Sequence, residues 1–309
     1  MGDTLVAFPA LAALRDRFPG HRLLLAGNPA AAPLAVQVGV VDAWLSFDDP
    51  RLASVFAQSE VAAPEVLQGL DRAVAWCADA DGVLAANLAR WGASDAVIAP
   101  SRPVEGEGVH VADHLVATLG PLSIAPVAVP VLRSTEADLM AADQLLERIG
   151  LVGKRFGLVA PGSGSRRKNW PLDRFLEVVR LLAEREGLPT VLLVGPAEEG
   201  MMAALEGGVG AAAVVSGLPL GVVGALMARA AVFLGNDSGP SHLAGLVGVP
   251  SVTLFGPTDP AMWAPRGPRA AVLRGNPLEA ISVEIVVNGV RSRLRSSQTD
   301  SGNVRMECL

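Results

Sequence analysis

Two stretches in the second half of the chain carry residue types suited to holding a diphosphate. The first spans residues 160–171 (APGSGSRRKNWP). It follows an apolar run, which is where an α/β sheet carries its ligand loops. Gly162, Ser163, Gly164 and Ser165 are small enough to let backbone come close to a ligand. Ser163 and Ser165 have hydroxyls that can donate to phosphate oxygens, and Lys168 adds a compact positive charge. Pro171 suits the first position of a following helix. By composition alone the stretch also reads as a solvated basic turn, and its spacing is not that of a Walker loop. The second stretch spans residues 235–246 (GNDSGPSHLAGL). Ser238, Gly239, Pro240 and Ser241 would open a helix, whose free N–H groups and partial positive charge attract a phosphate. Asp237 can accept from sugar hydroxyls, or can serve as an N-cap. His242 at such a place reads first as a structural residue.

Two lesser motifs accompany these. Residues 195–199 (GPAEE) place Glu198 and Glu199 after an apolar run, where a carboxylate can take a ribose hydroxyl pair. Acidic residues in the first turn of a helix would look the same. Residues 254–260 (LFGPTDP) follow the next apolar run and read as a turn at the edge of a cleft.

Strand-like apolar runs alternate with helix-like segments along the whole chain. In the first half the pattern predicts helices over 4–18, 64–70, 82–91 and 111–119, with strands over 22–26, 43–47, 72–77 and 96–99. Residues 121–130 contain three prolines and no charge, and read as a linker. In the second half it predicts helices over 136–149, 172–186, 198–206, 220–229, 240–247 and 277–294. The strands between them fall at 156–160, 190–194, 213–215, 232–234, 251–255 and 270–273. Strands separated by helices imply βαβ units and parallel sheets. Two such sets suggest two Rossmann-like domains facing a cleft, over residues 1–130 and 131–295. The polar stretch 296–309 lacks periodicity and is expected to be a disordered tail.

Composition narrows the possible roles. The chain has 309 residues, half of them hydrophobic, and no tyrosine, which suits helix-on-sheet packing. Two cysteines exclude a disulfide framework and favour a reducing compartment. Residues 207–228 are uncharged for long enough to span a bilayer, but Ser-Gly-Leu-Pro at 216–219 breaks the run, so a strand and a helix are expected there. Residues 1–150 carry a balance of −9 and residues 151–309 a balance of +3. The positive half suits an anionic ligand, and no basic patch of the nucleic-acid kind appears. Only Lys154 and Lys168 are lysines among 25 basic residues, which marks Lys168 as a position where arginine was not used.

Taken together, in this order and spacing, the motifs resemble the ADP-heptose:lipopolysaccharide heptosyltransferases, glycosyltransferase family 9. The opening, MGDTLVAFPALAALR, is similar to that family's G-D-x-L-x-x-x-P-x-L-x-x-L-R. The resemblance covers about residues 1–295 and is strongest over 161–171 and 235–260. It implies the glycosyltransferase-B fold and metal-independent transfer, with inversion, of a sugar from a nucleotide-diphosphate donor, with ADP-heptose expected, and no cofactor. It implies that Asp3 is the general base. Ser163, Gly164 and Lys168 would meet the donor phosphates, with Lys168 stabilising the departing diphosphate. Glu198 or Glu199 would hold the ribose, Asp237 the donor sugar, and Ser238, Gly239, Pro240, Ser241 and His242 the diphosphate-binding helix start. Family members carry a strand before the Gly-Asp pair, so the N-terminal domain is expected to lack its first strand.

The expected partners are a nucleotide-sugar donor and a lipopolysaccharide, glycolipid or oligosaccharide acceptor of the cell envelope. The acidic first half suits a strongly anionic acceptor badly. A monomer in the cytoplasm is expected, with room for peripheral association with the inner membrane. Two other readings stay open: a nucleotide-sugar 2-epimerase of the same fold, and a non-catalytic nucleotide-sugar-binding member.

Overall fold

The computed structural model describes residues 1–58, 62–124, 127–195 and 212–296. Its contacts divide the chain into two compact units. One holds Val6–Ala128 with Met1; the other runs from Val129 onward and also takes in Gly2–Leu5.

Helix α1 (Gly2–Val6) opens the chain and groups, through Gly2–Leu5, with the second unit; the first unit's own elements begin with α2 (Phe8–Arg17). The single helix expected over 4–18 is thus broken at Ala7. Pro9, in the first turn of α2, cannot donate to the preceding turn, and its ring crowds the carbonyl four residues back. Then follow β1 (Leu24–Gly27), α3 (Ala32–Gln37), β2 (Ala43–Ser46), β3 (Arg72–Trp76), α4 (Val83–Arg90), β4 (Asp95–Ala99) and α5 (Val111–Ala117). Helix α3 and a 3-10 turn at Pro50–Phe56 were not expected, and the helix expected over 64–70 is only a 3-10 turn at Glu65–Leu67. All strand pairing here is parallel. β1 pairs with β2 and β3 with β4, as two separate two-stranded sheets.

The second unit forms one six-stranded parallel sheet. Its elements are α6 (Glu136–Arg148), β5 (Gly157–Ala160), α7 (Leu172–Glu186), β6 (Thr190–Val194), β7 (Ala212–Ser216), α8 (Leu220–Arg229), β8 (Val232–Asn236), α9 (Gly239–Val247), β9 (Ser251–Phe255), α10 (Pro260–Trp263), β10 (Ala270–Arg274) and α11 (Val283–Ser296). The long last helix expected over 277–294 is instead a 3-10 turn at Leu278–Ala280 followed by α11. The helix expected over 198–206 lies outside the described residues, as do all tail residues after Ser296. No described helix is long and apolar enough to cross a membrane.

Helix α7 shows how local sequence sets this frame. Phe175, Val178, Val179 and Leu182 recur at helical spacing and are buried. Gly187, at φ 59°, ends the helix in the left-handed region that a side chain resists. The buried face of α7 packs with α11 on Val159, Leu192, Leu234 and Val252 of four strands. Alternate positions such as Leu158 and Phe233 are also buried and point to the other face. Every residue of β5, β6, β8 and β9 is buried, as expected of parallel strands covered on both sides.

The strand order is β10-β9-β8-β5-β6-β7. The chain winds outward from β5 through β6 to β7, returns to β8, and winds the other way to β10. The order therefore reverses between β5 and β8. Loops after those two strands diverge and open a crevice at the carboxyl edge of the sheet.

Candidate functional site

The two loops at that reversal are the two stretches that sequence had singled out. Asn236, at the end of β8, ties them together. Its Oδ1 accepts from the Trp170 backbone N–H at 3.1 Å, and its Nδ2 donates to the Pro161 carbonyl at 2.7 Å. The side chain is fully buried, and both ends of its amide are thereby satisfied. Gly235 makes the turn compact, because a Cβ there would lie 2.9 Å from Phe233 Cζ. Trp170 anchors the far end of the first loop. Its indole N–H donates to the Ile281 carbonyl at 3.1 Å, and its ring meets Phe175 edge-on at 5.1 Å.

On this frame Lys168 reaches Asp237, with Nζ 2.8 Å from Oδ2. Asp237 is 3% exposed while the lysine side chain is 32% exposed. A carboxylate this deeply buried needs a charged or hydrogen-bonding partner. Thr258, in the loop after β9, donates to the same oxygen at 2.8 Å. The lysine side chain is partly open to solvent, and its ammonium has further protons to offer an anion.

Asp237 is followed at once by α9. Ser238 is its N-cap, in extended conformation, and its hydroxyl oxygen is buried without a hydrogen-bond partner among the described residues. Pro240 has no N–H to leave unsatisfied, and the early N–H groups of a helix have no intrahelical acceptor. Ser241 is turned inward, donating to the Asn236 carbonyl at 2.6 Å, so its hydroxyl braces the turn. His242 is buried. A Cβ on Gly2 would stand 3.5 Å from His242 Cδ2 and 3.9 Å from Gly239, so Gly2, next to Asp3, packs on this helix start. Asp3 itself is exposed in α1.

In the first loop, Ser163 is buried and its hydroxyl is directed at Asn169 Oδ1, 2.6 Å away, or at the Ser165 carbonyl, 2.8 Å away. It braces the loop from within. Gly164 is exposed, with nothing within 4 Å of the Cβ it lacks, so the space beside it is open. Glu198 and Glu199 lie outside the described residues. Sequence reasoning had Asn236, Asn169 and Thr258 inside its motifs but gave none of them a role, because their partners lie in other loops or across the same one. The only signal for Thr258 was its place after a strand, in a motif read as a turn.

The opposite edge of the sheet holds a cavity of about 430 Å³ lined by Lys154, Arg155, Arg229 and Arg269 among others. Arg229 is paired with Asp143 at 2.9 Å, and Arg269 donates to the Gly248 carbonyl at the end of α9. These two arginines answer a carboxylate and a helix C-terminus. The carboxyl edge differs in offering, beside its lysine, the N-terminus of a helix.

The model of glycosyltransferase family 9 (heptosyltransferase) matches residues 118–285, more than half of the chain, including Lys168, Asp237 and Thr258. The chain belongs to that family. It is 29% identical over 164 residues to lipopolysaccharide heptosyltransferase 3 of Escherichia coli K12, a match over 51% of this chain and 47% of that protein. It thus spans about half the length of the curated relatives it matches. Among solved structures, a family 9 glycosyl transferase from Veillonella parvula DSM 2008 aligns with a TM-score of 0.79 at 21% identity, covering 96% of this chain and 94% of the other. Escherichia coli ADP-heptose heptosyltransferase II aligns at 0.73 with 18% identity, covering 96% of each chain. These likenesses establish the two-domain α/β fold of the family.

Proposed function

We propose that this protein is an inverting, metal-independent glycosyltransferase that moves a heptose-like sugar from an ADP-linked donor to a lipopolysaccharide or other cell-envelope glycan. The observation that carries the reading is the Lys168–Asp237 pair, 2.8 Å long, at the head of α9 and at the strand reversal. Membership of family 9 supports the reaction class, and a relative of the same fold is described as Escherichia coli heptosyltransferase WaaC with ADP.

In this account the diphosphate lies against the amino end of α9, with Lys168 as its counter-charge. Asp237 takes hydroxyls of the donor sugar, and Glu198 or Glu199 takes the ribose. Asp3 accepts the proton of the acceptor hydroxyl as that oxygen attacks the anomeric carbon from the face opposite the diphosphate. The bond to the diphosphate breaks, and the charge that develops on it is met by the lysine and the helix start. Nucleoside diphosphate leaves with the electron pair. Residues 1–130 would hold the acceptor and residues 131–295 the donor.

Substitution of Lys168 by alanine tests the site. Turnover of ADP-heptose with an envelope-glycan acceptor should fall by roughly a hundredfold or more, the usual loss when a stabiliser of transition-state charge is removed. Unchanged turnover and unchanged ADP affinity would show that the site lies elsewhere.

A further inference from the structure

The motif at residues 254–260, read from sequence as a turn, meets the proposed donor site through one side chain. Strand β9 ends at Phe255. Gly256 then passes so close to the following chain that a Cβ would lie 2.7 Å from Leu278 Cβ. Asp259 caps α10 by accepting from the Ala261 N–H at 3.2 Å. The loop is thus held on both sides of Thr258.

Thr258 Oγ1 and Lys168 Nζ both lie 2.8 Å from the same oxygen of Asp237, Oδ2. The other oxygen, Oδ1, accepts no hydrogen bond from any described residue. The two donors differ in what they can fix. An ammonium on a flexible stem is close to a point charge and leaves the carboxylate free to rotate. A threonine hydroxyl sits on a β-branched side chain with few rotamers, so it has a direction.

We propose that Thr258 is a positioning residue for the donor sugar. By engaging Oδ2 it sets the plane of the Asp237 carboxylate and presents Oδ1 to the sugar hydroxyls. The inference rests on the donor-site reading above and extends it to a residue outside the two main motifs. It separates two tasks. Lys168 serves the diphosphate and Asp237 together, whereas Thr258 serves only the sugar end.

The test is calorimetric titration of the full chain with ADP and, separately, with ADP-heptose. Thr258→Val keeps the shape and removes the hydroxyl; Thr258→Ser keeps the hydroxyl. Thr258→Val should bind ADP within roughly twofold of the parent protein, whereas ADP-heptose should bind about tenfold more weakly, the scale of one hydrogen bond to a charged group. Thr258→Ser should recover most of the ADP-heptose affinity. Equal loss of both ligands, as from general damage to the loop, would overturn the proposal, and so would loss of neither or failure of serine to rescue. A parent protein that binds neither ligand would overturn the donor-site reading and this inference with it. A parent that binds ADP while Thr258→Val is indistinguishable from it would overturn the inference alone.

Discussion

The two units are built from the same grammar of parallel strands and intervening helices, yet their strands are covered very differently. In the second unit β5, β6, β8 and β9 are buried along their whole length and hydrogen-bond into one sheet. In the first unit β3 is half-buried throughout, β1 and β2 are mostly so, and the strands pair two by two. The contrast reaches function through rigidity. Asn236 ends the fully buried strand β8, and its amide ties the loop that carries Lys168 to the residue before Asp237, so the geometry of the pair is braced by a packed core. Asp3 sits in a five-residue helix at the start of the chain.

Matched truncations should give the largest effect and sharpen this contrast. Leu158→Ala, at a fully buried position of β5, should destabilise the second unit by roughly 3–5 kcal/mol. Leu25→Ala, on half-buried β1, should cost about 1–2 kcal/mol because less surface leaves the water-free interior. Denaturant unfolding with site-resolved hydrogen exchange reads both, and equal costs would break the comparison. Next comes Gly235→Ala, which forces a methyl against the Phe233 ring. It should cost roughly 1–3 kcal/mol and loosen ADP binding by disturbing the turn before Asp237. Without any substitution, amide exchange should be slower in β5 and β8 than in β1 and β3, with the order of protection as the readout. The smallest effect belongs to Asp143→Ala. Asp143, on α6, pairs with Arg229 of the amino-edge cavity, whose hydrogen bond holds its carboxyl below the ordinary aspartate value. ADP affinity should not change, which would set the carboxyl edge apart as the binding edge.

Sequence made the second unit legible because its signals are local and mutually consistent. The span of α7 follows from Pro171, five buried apolar positions and Gly187. Lys168 and Asp237 could be picked out because one is a rare lysine after a strand and the other opens a helix. Asn236 and Thr258 were not legible as site residues. Asn236 bonds to groups 66 and 75 residues away, and Thr258 to one 21 residues away. No local pattern encodes such pairings. The same limit hides what the Ser163 and Ser241 hydroxyls do within the fold, where each braces its own loop. In the first unit the strands are incompletely buried, so their apolar pattern is weaker, and α3 is only six residues long and went unread.

The central claim is that the second unit holds the diphosphate of a nucleotide donor through Lys168 and the start of α9. The most direct measurement is titration calorimetry of ADP into the parent chain and into Lys168→Ala. The account predicts binding to the parent and affinity reduced by roughly tenfold or more in the variant, the scale of one charge-assisted contact to phosphate. Equal ADP affinity in the two proteins would contradict it.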